Sequence, residues 1–249
     1  VQKQIINYDE TLDDLQLNNI FIIQKKHAFR FGVDAVLLAN FVKSKNNAKV
    51  IDLCSGTGII PFILSAKTKV SSITGIEIQS EMVDMANRSV LFNKLQNKIR
   101  FVNQDLKNMD FIKSLDKVDI VTVNPPYKLR GSGIINADDK NAIARHEICC
   151  TLDDVIKASK DLLTHNGKLY MIHRPDRLVD IMCTMRKYKI EPKFITMVHP
   201  NIKKAPNMVL IEGQNNGGTF LKWGEPIYIH NLDGSYTEQI DGIYERNLK

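Results

Sequence analysis

The chain has 249 residues, 43% hydrophobic and 25% charged, which excludes disordered and collagen-like proteins and suits one large domain with a small appendage. No run approaches the roughly 18 apolar residues of a membrane span. The opening Val1-Gln2-Lys3-Gln4-Ile5-Ile6-Asn7 lacks the cationic-then-apolar layout of a secretory signal, so a cytoplasmic protein with no membrane partner is expected. The net charge of +6 points to an anionic partner.

In chain order, Leu15-Gln16-Leu17, the turn-prone Asn18-Asn19 and Ile20-Phe21-Ile22-Ile23 predict a small hairpin. Gly32 and Asp34 then start a helix in which Val33, Val36, Leu37 and Phe41 recur at helical spacing as far as Lys43. From Lys49 short apolar runs alternate with amphipathic stretches, the pattern of a parallel sheet covered on both faces. Strands are expected at 50–53, 73–77, 99–102, 118–123 and 168–173, with two more near 194–198 and 208–212. Helices are expected at 59–67, 81–93, 152–163 and 177–188.

The fold class is therefore α/β, a doubly wound, mostly parallel sheet of seven strands. Residues 1–48 are expected as a hairpin and helix extension packed on one large domain at 49–249. The segment 128–147, with Gly131-Ser132-Gly133 near its start, is too long for an idle connection. The tail from Gly217 through the turn Asp233-Gly234 to Lys249 predicts a hairpin on the sheet edge.

The four cysteines, Cys54, Cys149, Cys150 and Cys183, form no Cys-x-x-Cys pair and have no histidine at zinc-ligand spacing, so no metal site is expected. They are expected as free thiols; adjacency strains a disulfide between Cys149 and Cys150. From His173 to Lys204, eight Lys/Arg stand against three acids. This segment is either a site for an anion or a solvated helix face with its flanking loops.

In a doubly wound sheet a ligand lies beyond the carboxyl ends of the strands, which places Asp52-Leu53-Cys54-Ser55-Gly56-Thr57-Gly58 at a cofactor. Gly56 and Gly58 give the backbone freedom, and Pro61 falls where a missing N–H costs little. The third glycine of a dinucleotide turn is replaced by Pro61, and no Gly-Lys-Ser/Thr of a phosphate loop follows. Glu77 ends the second sheet strand where an acid accepts from two ribose hydroxyls, with Ile78 beside it to pack on adenine. In Asn103-Gln104-Asp105-Leu106, Asp105 is either an acceptor for the adenine amino group or a helix cap.

The sharper signal is Asn124-Pro125-Pro126-Tyr127 directly after the fourth sheet strand. Two prolines hold the backbone extended, so that the Asn124 side-chain oxygen and the Pro125 carbonyl converge on one spot. Two acceptors on the hydrogens of an exocyclic NH2 favour a pyramidal nitrogen whose lone pair attacks a sulfonium methyl. Tyr127 is suited to stacking on the planar base.

These residues resemble the class I, Rossmann-type methyltransferases of the amino-methylating branch. With Phe29-Arg30-Phe31-Gly32-Val33-Asp34, Ala144-Arg145-His146-Glu147 and His173-Arg174-Pro175-Asp176-Arg177, nearly the whole chain is similar to the bacterial family that modifies the anticodon-loop adenosine of valine tRNA at N6. The resemblance implies that Asp52, Cys54, Ser55, Gly56, Gly58, Glu77, Ile78, Asp105, Leu106 and Asn124 hold S-adenosylmethionine. It implies that Gly32 and Asp34 close the site near the methionine part, and that Asn124 to Tyr127 are catalytic.

Cys54 departs from the family pattern, which often has glycine there. An RNA partner fits, since a base leaves its stack most cheaply in a loop. Arg30, Lys128, Arg130, Arg145, His146, Arg174 and Arg177 would surround it; Arg145-His146-Glu147 is alternatively an internal salt-bridged knot. Glutamine N5 methylation of a protein, guanine N2 methylation of ribosomal RNA and an inactive RNA-binding module are the rival expectations.

Overall fold

The computed structural model describes residues 5–26, 32–126 and 150–244. Tyr127, Lys128, Arg130, Arg145, His146, Arg30, Cys149 and the long 128–147 segment lie outside the described residues.

A hairpin of β1 (Glu10–Asp14) and β2 (Phe21–Lys25) precedes α1 (Val33–Phe41). The main sheet uses β3 (Lys49–Leu53), β4 (Ser72–Glu77), β5 (Ile99–Asn103), β6 (Val118–Val123), β7 (Leu163–His173), β8 (Ile190–His199) and β9 (Met208–Asn215). Two two-residue strands, β10 (Lys222–Trp223) and β11 (Ile227–Tyr228), run parallel to β8 at its edge. The helices between are α2 (Ile59–Lys67), α3 (Ser80–Phe92), α4 (Met109–Ser114), α5 (Leu152–Leu162) and α6 (Leu178–Lys187), with α7 (Glu238–Ile243) in the tail.

The long strands lie in the order β8-β9-β7-β6-β3-β4-β5, and β9 alone among them runs antiparallel to its neighbours. The expected seven-stranded, mostly parallel sheet is thus present. Period-two alternation divides the core: Val50, Ile73, Ile99, Ile120, Tyr170 and Ile172 face α1, α2, α3 and the hairpin. Ile51, Leu53, Ile76, Val121, Val123, Leu169 and Met171 face α4, α5 and α6. After β5 the chain returns to place β6 on the other side of β3, so the order reverses between β3 and β6. Ligands of such sheets bind at this reversal.

The hairpin is present, but its first strand is Glu10–Asp14 and not Leu15-Gln16-Leu17. The apolar residues instead form the turn, with Leu17 and Ile20 buried in the core and left-handed backbone at Gln16, Asn18 and Asn19. Side chains of α3 and of its C-cap Asn93 satisfy the free edge of β2: Phe21 N–H donates to Asn93 Oδ1 at 2.9 Å and Ile23 N–H to Ser89 Oγ at 2.9 Å. Arg88 donates from both terminal nitrogens to the Glu10 carboxylate at 2.7 and 2.8 Å, which holds that acid down at about 2.

The tail also differs from the expected hairpin. The turn at Asp233-Gly234 carries only an isolated bridge between His230 and Tyr236, and α7 follows. Thr237 caps α7, and the fully buried Ile240, with Ile243 and Tyr244 packed on the core beside it, anchors the helix. Among the described residues no helix is long and apolar enough to cross a membrane.

Candidate active site at the strand-order reversal

The turn after β3 is left-handed at Cys54 (φ 56°), Gly56 (φ 54°) and Gly58 (φ 89°). It is braced from below by Asp52, which is fully buried and accepts from Ser55 Oγ at 2.6 Å and from Thr122 Oγ1 of β6 at 2.6 Å. Burial pushes the Asp52 carboxyl up to about 7, against the pull of those two hydroxyl donors. One acid therefore ties together the strands on either side of the reversal.

Glu77 at the end of β4 meets the same turn. Its carboxylate accepts from Gly56 N–H at 2.9 Å, from Gln79 N–H at 3.0 Å and from the Gln79 side-chain amide at 3.3 Å. Asn103 of β5 holds the backbone there by donating to the carbonyls of Glu77 and Ile78 at 3.0 and 2.8 Å. Ile78 is 40% exposed beside it.

Asp105 accepts from Lys107 N–H at 2.8 Å and pairs loosely with the Lys107 ammonium at 3.6 Å. The cap of α4 is Asn108, so the helix-capping alternative for Asp105 does not describe the structure. Two expected residues turn away from the rim. Asp52 acts from inside, and the Leu106 side chain is buried in the core against α4 and α5.

The second turn follows β6. Asn124 donates through Nδ2 to Asp34 Oδ2 at 3.1 Å. A carboxylate only accepts, so this bond fixes which arm of the amide faces α1 and sends Oδ1 the other way. Asp34 in turn needs Gly32: a Cβ on Gly32 would stand 2.5 Å from Asp34 Oδ1. That close approach gives the Gly32-Val33-Asp34 spacing a physical reason. Pro125 and Pro126 carry no N–H, so these two positions offer acceptors alone.

At the end of β7, His173 is buried and accepts through Nδ1 from Arg174 N–H at 2.8 Å; burial lowers its pKa to about 4. Arg174 and Arg177 follow on the same rim, the latter donating to Asp180 at 2.7 Å. Thr122 and Asn103 were not among the expected site residues. Thr122 had a signal, as a lone hydroxyl within the apolar run Ile120-Val121-Thr122-Val123. Among the described residues no group of three His, Cys, Asp or Glu is placed to hold a metal.

Among the described residues nothing lies within 4 Å of where a Gly56 Cβ would stand, so on that side the turn is not packed against them. The longest bond to Glu77, from the Gln79 amide, is the one a hydroxyl exchanges most cheaply. The class that these paired turns define is that of the class I methyltransferases, with S-adenosylmethionine as cofactor; when bound, it supplies an electrophilic methyl on a sulfonium sulfur.

The chain belongs to the methyltransferase small domain family, whose model matches residues 30–185. It is 24% identical over 213 residues to a tRNA1(Val) (adenine(37)-N6)-methyltransferase of Aeromonas hydrophila, covering 85% of this chain and 87% of that one. It is 25% identical over 220 residues to the enzyme of that name from Porphyromonas gingivalis, covering 85% and 86%. Among solved structures it is similar to a predicted O-methyltransferase from Agrobacterium tumefaciens, with a TM-score of 0.68, 21% identity, and 85% and 95% of the two chains covered. That last likeness speaks for the fold.

Proposed function

We propose that this methyltransferase methylates the exocyclic N6 of adenosine in RNA, with adenosine 37 of a tRNA anticodon loop as the substrate. The observation that carries the reading is the Asn124 amide, held by Asp34 at 3.1 Å next to two prolines. Asn124 Oδ1 and the Pro125 carbonyl accept the two amino hydrogens, which withdraws the nitrogen lone pair from the ring and aims it at the donor. The names of the relatives from Aeromonas hydrophila and Porphyromonas gingivalis support adenine in tRNA over the other amino acceptors.

The basic segment sharpens the picture of RNA contact. Arg186 pairs with Glu191 at 2.6 Å, Lys187 with Asp153 at 2.5 Å, and Arg177 with Asp180. Lys193 donates to the carbonyls of Gly218 and Thr219. Much of the charge around α6 is thus a locally paired, solvated face.

Lys203 and Lys204 differ: both are exposed in the loop that joins β8 to β9, on the carboxyl rim. At about 4.8 Å per strand, three strand steps put them about 14 Å from the Asn124 turn, a span of two or three nucleotides. With Arg174, whose ion pair to Asp176 is loose at 3.6 Å, they form the phosphate-gripping set of this proposal.

The test incubates the protein with labelled S-adenosylmethionine and total tRNA, ribosomal RNA or a release factor in separate reactions. Label in tRNA alone, recovered as N6-methyladenosine, is the expected result. Label in ribosomal guanosine or in protein glutamine removes the substrate, and no label in any reaction leaves an RNA-binding scaffold. Replacing Lys203 and Lys204 together should flatten the salt dependence of tRNA binding by about 0.7 in log–log slope for each phosphate that is no longer neutralised.

A further inference from the structure

Cys54 and Cys150 are 96 residues apart in the chain, yet their sulfurs stand 3.9 Å apart and both side chains are half-buried. Cys54 occupies the first left-handed position of the cofactor turn, a conformation that costs a side-chain-bearing residue about 1–2 kcal/mol where glycine is free. Its thiol has a partner to offset that cost. Cys150 immediately precedes Thr151, whose reciprocal bonds with Asp154 cap α5.

We infer that Cys54 and Cys150 form a dithiol modification site, which a hydroperoxide oxidises to a disulfide that closes the cofactor turn. The sulfurs must approach by about 2 Å to reach bonding distance. The positive end of α5 lies beside Cys150, and sharing a proton with Cys54 lowers its thiol pKa while that of Cys54 rises. Cys150 is therefore the attacking sulfur.

The Cys150 thiolate attacks one peroxide oxygen and the O–O bond breaks; the departing oxygen takes a proton and leaves as water or an alcohol. The resulting sulfenic sulfur is attacked by Cys54, which gives up its proton, and the sulfenic oxygen leaves as water. The dithiol loses two electrons and two protons, and these reduce the peroxide. The new bond draws Cys54 toward α5 and takes Gly56 N–H out of line with Glu77 Oε2. Loss of that hydrogen bond to a carboxylate frees Glu77 to turn and costs about tenfold to a hundredfold in affinity.

The experiment titrates the reduced 249-residue protein with hydrogen peroxide, alkylates it and maps non-reduced peptides by mass. S-adenosylmethionine affinity is measured in parallel by calorimetry. The expected product is lighter by two hydrogens, carries a Cys54–Cys150 linked peptide and binds the cofactor at least about tenfold more weakly. Dithiothreitol restores it.

Cys150→Ala keeps the untreated affinity and resists peroxide, whereas Cys183→Ala responds as the parent does. A link from Cys54 or Cys150 to Cys149, a sulfinic acid in place of the link, or undiminished cofactor affinity in the linked protein overturns the inference. The inference rests on the cofactor turn and not on the RNA reading, and neither readout uses an RNA substrate. The two therefore fail separately.

Discussion

Two turns leave neighbouring strands at the same rim of the sheet, yet the one after β3 is left-handed and gives its Ser55, Gly56 and Gly58 N–H groups to Ile76, Glu77 and Ser55, whereas the one after β6 carries two prolines that have no N–H. The first gives Gly56 N–H to Glu77, and among the described residues nothing packs on the Gly56 α-carbon. The second has no N–H at Pro125 or Pro126 and points an amide fixed by Asp34. A turn that fixes the Glu77 carboxylate suits a cofactor with hydroxyl donors, and a turn whose two prolines offer only carbonyls suits an amino group. Their shared support is the buried Asp52, which joins Ser55 of one to Thr122 of the strand that leads to the other.

If this division of labour is real, damage to the acceptor turn should appear in kcat and damage to the left-handed turn in cofactor binding. Asn124→Ala carries the largest expected effect. By analogy with removal of one preorganised hydrogen-bonding group, kcat should fall about a hundredfold to a thousandfold while calorimetric affinity for S-adenosylmethionine stays within about twofold. Parallel loss of both would erase the distinction between the turns. Asp34→Ala should act through Asn124 and lower kcat about tenfold to a hundredfold, the worth of a charge-assisted hydrogen bond. Asp34→Asn should be milder, because its amide also presents an oxygen to Nδ2. Loss confined to cofactor affinity would place Asp34 on the donor instead.

The same division explains how much was legible in the sequence. Both turns were readable because their chemistry is local: glycines announce left-handed backbone, and Pro125-Pro126 announces two positions without an N–H. The sheet strands were readable because each is a contiguous apolar run, and 118–123 was placed at its observed bounds.

Contacts over long sequence separations were not readable. Asp34 to Asn124 spans 90 residues and Cys54 to Cys150 spans 96, and no pattern in one segment specifies its partner in the other. β1 was missed because Glu10-Thr11-Leu12-Asp13-Asp14 has a polar sequence. Its stability comes from the ladder with β2 and from Arg88 on α3. The tail was placed at the sheet edge but as a hairpin, because two residues pairing in parallel with β8 leave no periodicity that names their partner.

Gly58→Ala probes the left-handed side. A Cβ there would stand 2.3 Å from the Phe101 ring at a φ of 89°, so steric conflict and backbone strain act together. The expected loss is about 1–3 kcal/mol of stability, seen as a lowered Tm, with weakened cofactor binding. At saturating cofactor and a temperature well below Tm, kcat should be nearly that of the parent. A large kcat defect under those conditions would show that the two turns do not divide the work.

Asp52→Asn asks whether the link between the turns is held by a proton, and its expected effect over the physiological range is the smallest. Burial raises the folded-state pKa from 3.8 to about 7, so across that interval the folded protein keeps a proton that the unfolded chain has released. Folding then binds protons, and stability falls as pH rises through the interval and levels off above about 7. Within the last pH unit of the interval the slope contributes at most about 1.4 kcal/mol, or a few degrees in Tm for a domain of this size.

Asparagine keeps one oxygen for either Ser55 or Thr122 and does not titrate. The variant should be less stable at the acid end of the interval, and its Tm should lose this component of the pH dependence. Should the parent and the variant show parallel Tm profiles from the ordinary carboxylate range to neutrality, Asp52 is ionised throughout. The bridge between the turns would then be a charge held by two hydroxyls, not a neutral acid.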